Sequence, residues 1–296
     1  MKERIDPLIA ERAPWLFSDR FFAGPALGLL TRILGYGRTV DLAEHYRDMP
    51  VTQIMDDLGE MLARDFQVRG LENVPAHGPA LVVSNHPTGI ADGIMIYHAL
   101  KAVRPDLYIY ANSDILRVLP QFGDLIVPVE WREDRRTRSK TRETMAQTHR
   151  AIEDGKLGVI FPSGRIAKRR GLWLFERQWM ASAAMIARKN DLPVIPVNMR
   201  ARNSLLFYLF DLIHPTLRDI TLFHETLNKD RQPYRITVGK PILPDALPAK
   251  SEEGIRMLRR ATLRLGGRHA PNVSLVDSTR RPSWARASAK RIAPAP

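Results

Sequence analysis

The sequence predicts an α/β fold: a mostly parallel sheet of about seven strands, flanked by helices and preceded by an N-terminal helical segment expected to face a membrane. Two observations carry this. From residue 66 onward, short apolar runs alternate with stretches of helical period, the pattern of strand–crossover–strand units. Two of the helical stretches end at sensible stop signals, Gly155 and Asn190.

In chain order, residues 1–65 read as helical. Val51, Ile54, Met55, Leu58, Met61 and Leu62 recur at helical spacing behind Asp48 and Pro50. Within Gly24–Tyr36, Leu27, Leu30, Ile33 and Leu34 form an apolar face beside Arg32 and Arg38. That composition fits an interfacial membrane helix and equally a helix packed on the core. Strands are expected near 66–69, 79–84, 107–111, 125–129, 157–161, 193–199 and 235–239, with helices at about 91–102, 140–154 and 175–190. After Gly266 the pattern fades. Arg268, Arg280, Arg281, Arg286, Lys290 and Arg291 face Asp277 alone, among Pro, Ser and Ala, as in a flexible basic tail. Three parts follow: 1–65, a main domain at 66–265, and a tail at 266–296.

The chain has no cysteine, which excludes a disulfide framework, a thiolate metal site and a cysteine nucleophile, and agrees with a reducing compartment. Residues 1–20 carry scattered charge without a continuous apolar stretch, unlike a secretory signal. No uncharged apolar run approaches the roughly 18–20 residues a spanning helix needs, so a peripheral or soluble protein is expected. The net charge of +13 attracts phosphate, whether on lipid, nucleic acid or a small substrate.

Two segments carry chemistry. Ser84–Gly93, SNHPTGIADG, follows the apolar run Ala80–Val83 and precedes a helical stretch. A strand-to-helix turn of this kind is where an open α/β sheet presents ligand sites. Gly89 gives the backbone room to fold back, so that Asp92 is expected to reach the His86 imidazole, although a lone His near an Asp fits a structural turn as well. A carboxylate on one ring nitrogen fixes the tautomer and leaves the other nitrogen to take a proton. In 158–170, GVIFPSGRIAKRR, an apolar strand runs into Ser163 and Gly164, and Arg165, Lys168, Arg169 and Arg170 follow with no acid among them. Glycine and guanidinium together suit a phosphate, while the segment read alone fits a solvated basic loop. The segments PVIPV (193–197) and VGKPILP (238–244) read as structural strands bounded by proline.

In this order, these four segments resemble the lysophospholipid acyltransferase family, whose motif places Asp after His with four residues between. The likeness spans about residues 66–245 and includes the lead-in VRGLENVPAHGPALVVSNH. Phe161–Gly164 resembles the family's Phe-Pro-Glu-Gly acceptor block, and Val194–Val197 and Gly239–Pro241 resemble later blocks. The resemblance implies that His86 is the general base and Asp92 its orienting partner. Gly89, Ser163, Gly164, Arg165 and Lys168 would bind substrate. The donor would be a thioester of acyl carrier protein or coenzyme A, and the acceptor a lysophospholipid or a glycerol-phosphate-like hydroxyl. The implied setting is peripheral, on the cytoplasmic face of an anionic membrane. Neither metal nor resident cofactor is expected. Departures are visible. Five residues separate His86 from Asp92, as in branches resembling hemolysin-like and ornithine-lipid acyltransferases, which makes a lyso-ornithine lipid an alternative acceptor. Ser163 stands where the family has Glu. The strand at 123–129 lacks the family's Arg, for which Arg132 is a substitute.

Two other readings compete. A basic nucleic-acid-binding protein would account for the charge, but no helix-turn-helix, zinc-finger or aromatic sheet motif is present. A serine hydrolase would use an α/β sheet, but no Gly-x-Ser-x-Gly elbow is present. Partners are therefore expected to be lipid and acyl carrier, with no nucleic acid.

Overall fold

A computed structural model describes residues 1–18, 21, 23–130, 137–267 and 272–275. Four helices open the chain: α1 Lys2–Arg12, α2 Ala23–Ile33, α3 Tyr36–His45 and α4 Val51–Leu62. The main sheet comprises β1 Phe66–Arg69, β2 Ala80–Ser84, β3 Leu107–Asn112, β4 Ile126–Val129, β5 Leu157–Ile160, β8 Val194–Arg200 and β9 Tyr234–Val238. Its order is β1-β9-β8-β2-β5-β3-β4. All neighbours are parallel except β8 and β9, which run antiparallel.

Buried strands with apolar residues on both faces are what a sheet covered on both sides requires. Alternate residues supply the two layers. Ala80 and Val82 join one core with Ile5, Leu8 and Ile54 and with Met95 of α5 (Ile90–Leu100). Leu81 and Val83 join a second with Ala151 of α7 (Arg138–Glu153), Ala183 and Ala187 of α8 (Ser182–Lys189) and Leu258 of α12 (Ser251–Arg264). Of the N-terminal helices, α1, α3 and α4 therefore share the sheet's own core. Fully burying each large aliphatic side chain contributes about 1.5–3 kcal/mol, so α4, with Val51, Ile54, Met55, Leu58 and Leu62 inside, is firmly held. Gly59 lets α4 approach α5, because a Cβ there would lie 2.5 Å from the His98 ring.

The topology places the site. The crossover from β2 through α5 leads to β3 on one face, while that from β5 through α8 leads to β8 on the other. Adjacent strands β2 and β5 thus send their chains in opposite directions. Their carboxyl ends form a switch point, where such sheets open a crevice.

Two expectations change, and an alternative left open is narrowed. Lys168–Arg170, expected as a basic loop, is strand β6, paired antiparallel with β7 (Trp173–Phe175), which pairs in turn with β10 (Asn272–Ser274). The helix expected from 175 begins only at Ser182, because 176–181 folds back under the site and Met180 N–H bonds Pro162 O at 2.9 Å. In α2, Leu30 is 9% exposed and packs with Ala13 and Leu16, and Leu27 and Leu34 pack against the same cluster, which leaves Leu29 and Ile33 in solvent. The expected apolar face of this helix is therefore turned mainly to protein.

Further helices follow β3 and β8: α6 Asp114–Val118, α9 Leu205–Ile213, α10 Pro215–Ile220 and α11 Leu222–Leu227. Among the described residues, no helix is long and apolar enough to cross a membrane. The basic tail falls almost wholly outside the described residues, as does Arg132.

Candidate active site

β2 ends at Ser84, and the chain turns through Asn85–Gly89 into α5. Asn85 pins this turn to the neighbouring strand: its Nδ2 donates to Met199 O at 2.9 Å, and its Oδ1 accepts from Met199 N at 2.8 Å. Gly89 adopts φ 100°, ψ −132°, and a Cβ there would meet Ile166 Cδ1 at 2.9 Å. Glycine meets both demands, the positive φ and the close approach.

His86 Nδ1 lies 2.8 Å from Asp92 Oδ2. Asp92 is fully buried and accepts from five groups: His86 Nδ1, Thr88 N, Thr88 Oγ1, Gly89 N and the Tyr234 hydroxyl. Its place at the third residue of α5 also puts the carboxylate at the positive end of the helix. Burial alone would raise the Asp92 carboxyl. The bonds from His86, Thr88 and Tyr234 outweigh it and hold the group below its ordinary value. Burial, and then Asp92 itself, push the Tyr234 phenol well up, so it stays protonated and donates.

An ionised carboxylate only accepts, so the Nδ1 facing it carries the proton and Nε2 holds the free lone pair. The ring stacks on Phe161 with centroids 4.4 Å apart, and its side chain is 18% exposed. The imidazole is therefore held between Asp92 and Phe161 and is still partly open at the surface.

The second segment meets the first here. β5 ends beside β2, with Val83 opposite Ile160, which delivers Phe161 beneath the imidazole. Ala167 N–H bonds His86 O at 2.8 Å, so residues 165–167 run along the His86 turn. Ser163 is buried and donates to Arg165 O at 2.9 Å. Arg165 and Lys168 are exposed, Arg165 directly after Gly164 and Lys168 at the start of β6. The N–H groups of Gly89 and Gly164, natural candidates for stabilising an oxyanion, are engaged inside the fold: Gly89 N with Asp92 and Gly164 N with Phe161 O. Both glycines act here through backbone shape.

Two buried participants were not visible in the sequence. Tyr234 comes from β9, far along the chain, and touches Asp92 and Thr88. Glu176 accepts from the His86 backbone N–H at 3.2 Å and from Trp179 Nε1 at 2.9 Å. It stands beneath the turn, close to Ser163. Burial pushes its carboxyl up, against the opposing bonds from Trp179 and His86. The sign of the consequence is definite. A raised carboxyl binds its proton more tightly folded than unfolded, so stability is lost as pH rises from the ordinary carboxylate range through the folded value. Glu176→Gln removes that slope. Denaturant melts from about pH 4 to pH 8 are expected to show the variant gaining on wild type with rising pH, then levelling off. A constant difference across the range would contradict this.

Residues 65–200 match the family model described as Acyltransferase. A lyso-glycine lipid O-acyltransferase of Phocaeicola vulgatus is 26% identical over 189 residues, covering 62% of this chain and 66% of that protein. A lyso-glycine lipid O-acyltransferase of Bacteroides thetaiotaomicron is 21% identical over 244 residues, 80% of this chain and 87% of the relative. Among solved structures, the crystal structure of the 1-acyl-sn-glycerophosphate (LPA) acyltransferase PlsC from Thermotoga maritima aligns with a TM-score of 0.46 and 14% identity, over 90% of this chain and 97% of that one.

Proposed function

We propose a chemical role for each part of the site from one premise: the chain belongs to the acyltransferase family through residues 65–200, as an O-acyltransferase of the lysophospholipid or glycerolipid type. The observation that carries the proposal is the His86–Asp92 pair, with an oriented and partly open imidazole at the carboxyl edge of the sheet.

His86 Nε2 takes the proton of an acceptor hydroxyl as the oxygen attacks the carbonyl carbon of an acyl thioester. The imidazolium that forms is paired with Asp92. When the tetrahedral intermediate collapses, the carbon–sulfur bond breaks, and the thiolate of acyl carrier protein or coenzyme A takes the proton back from His86. The acyl group passes directly to the acceptor, and no residue of the chain carries it. The acceptor is a lysolipid with an anionic head. Lyso-glycine lipid, lyso-ornithine lipid and lysophosphatidate share a free hydroxyl and an acidic group, and the two curated relatives are named for the first. Glycerol 3-phosphate shares the same chemistry without the chain. Residues 66–265 form the catalytic unit, and the helices of 1–65 and the basic 266–296 flank it. The enzyme works peripherally, at the cytoplasmic face of an anionic membrane.

Incubation with radiolabelled acyl carrier protein and coenzyme A thioesters and this panel of acceptors tests the reaction. One or more lysolipids should gain an ester-linked chain. Release of free fatty acid alone, whatever acceptor is present, would overturn it.

Arg165, exposed beside the His86 turn, is assigned to the acceptor's anionic head. Guanidinium–carboxylate or guanidinium–phosphate contacts are strong but screened at an exposed site. Arg165→Ala is therefore expected to raise the acceptor KM roughly 3- to 10-fold with little change in kcat. A change confined to the thioester KM would move Arg165 to the donor side.

A further inference from the structure

Helix α9 has two faces. Phe207 and Tyr208 turn inward, onto a cluster that includes Ile166, Leu174 and Leu222. Leu205, Leu209, Leu212 and Ile213 turn outward and are 80%, 50%, 67% and 62% exposed. Their spacing of four, three and one residues makes a single stripe. A helix that keeps its most apolar stripe in water is not explained by the packing of this chain, and contiguous exposed apolar patches mark interaction surfaces.

Three neighbours say what meets it. The β6–β7 hairpin rests on α9 through Leu174, and its turn residue Leu172 and the first residue of β7, Trp173, are 63% and 40% exposed. Beside them stand Lys168 and Arg170, both exposed, with Arg165 just before. On the other side, Phe210 of α9 packs onto the Leu16–Leu30 cluster of α2, which leaves Leu29 and Ile33 in solvent next to it. An apolar surface with tryptophan and a basic rim, on a chain of net charge +13, has the composition of a contact for anionic lipid.

The inner face of α9 adds a link to the chemistry. Ile166 and Leu222, against which it packs, are the side chains that crowd Gly89, with Ile166 Cδ1 2.9 Å and Leu222 Cδ2 3.4 Å from the position of a Cβ there. The same two side chains thus touch the inner face of α9 and the glycine of the His86 turn. A helix is about 10–12 Å across with its side chains, and interfacial helices sink about 5–10 Å into the boundary between headgroups and acyl chains. Seated that way, the site lies at headgroup depth.

We propose that α9, with Leu172, Trp173 and the exposed edge of α2, is the surface that docks on an anionic bilayer, so that a lysolipid offers its hydroxyl to His86 while its chain stays in the leaflet. This rests on the acyltransfer reading above and adds where the membrane is met. α9 takes the role that the sequence pattern of 24–36 suggested for α2 alone.

The triple variant Leu205→Ser, Leu209→Ser, Leu212→Ser alters only outward side chains, and a melting curve checks its fold. Full-length wild type and variant are compared for binding to phosphatidylcholine vesicles with and without phosphatidylglycerol. Wild type should prefer the anionic vesicles, and the variant's partition should fall roughly 10- to 100-fold, as expected for losing about a third of the full burial of three leucines, side chains that reach only the interface. Arg170→Gln should weaken binding about 3- to 5-fold, and only at low salt. Acyl transfer to a short-chain, monomeric acceptor should be unchanged in the triple variant, while transfer to vesicle-embedded acceptor falls with partition. A folded triple variant that binds vesicles as wild type does overturns the proposal. So does a wild-type dimer that becomes monomeric in the variant with vesicle binding unaltered, since the stripe then belongs to a second copy. If vesicle binding depends on α9 but neither acceptor is acylated, the docking surface stands and the acyltransfer reading fails. If the monomeric acceptor is acylated by a protein that ignores vesicles, the reverse holds.

Discussion

His86→Ala is expected to lower kcat about 10²- to 10⁴-fold, the usual consequence of losing a general base, in a protein that still folds. Fold retention follows from how the turn is held. The His86 N–H bonds Glu176 and its carbonyl bonds Ala167, and both are backbone groups that alanine keeps. The side chain contributes its stack on Phe161 and its bond to Asp92, so the melting temperature should fall modestly while turnover collapses. Steady-state transfer rates alongside circular dichroism decide this. Near-normal turnover in a folded variant would remove His86 from the mechanism.

Asp92→Asn is expected to lower kcat about 100-fold, the low end of what general-base catalysis contributes, and to leave acceptor KM nearly unchanged. The hydrogen-bond geometry explains why the loss stops short of that for His86→Ala. Backbone N–H groups of Thr88 and Gly89 point at Oδ2 and cannot turn away. An asparagine must therefore put its carbonyl oxygen there and its amide nitrogen toward the Thr88 and Tyr234 hydroxyls, which can rotate to accept. The carbonyl still receives the His86 Nδ1 proton, so the tautomer survives, and what is lost is the negative charge that stabilises imidazolium. Asp92→Ala differs in kind. It leaves buried donors without partners, at about 1–3 kcal/mol each, and should compromise folding. A loss in acceptor KM alone for Asp92→Asn would reassign the residue to substrate contact.

The sheet and the His86 turn were legible because their signals are local. Apolar runs such as Ala80–Val83 and Val194–Val197 are buried on both faces, and their composition says so without knowledge of their neighbours. The His86–Asp92 pair was legible because a single turn joins its members. The missing parts depend on contacts across the chain. Tyr234 reaches Asp92 over 142 residues. Glu176 grips a main-chain N–H, which no side-chain motif records. β6, β7 and β10 are three residues each, too short to show an alternating pattern, and β10 joins β7 only across about a hundred positions, so Lys168–Arg170 carries no strand signal. In α2, helical period marked an apolar face but not what covers it, and packing turned Leu30 toward Leu16. α9 passed unread for the opposite reason: its apolar residues surround most of the helix, which period analysis does not separate from a core segment.

The central claim is that Asp92 holds His86 with its proton on Nδ1 and its lone pair on Nε2, ready for a hydroxyl. Nitrogen-15 NMR of histidine-labelled protein measures this directly, and comparison with His86→Ala identifies the one ring among eight histidines. In the neutral ring, the predicted spectrum has a protonated, pyrrole-type Nδ1 and an unprotonated, pyridine-type Nε2, and Asp92→Asn should keep that tautomer. A proton on Nε2, with Nδ1 unprotonated beside Asp92, would contradict the account.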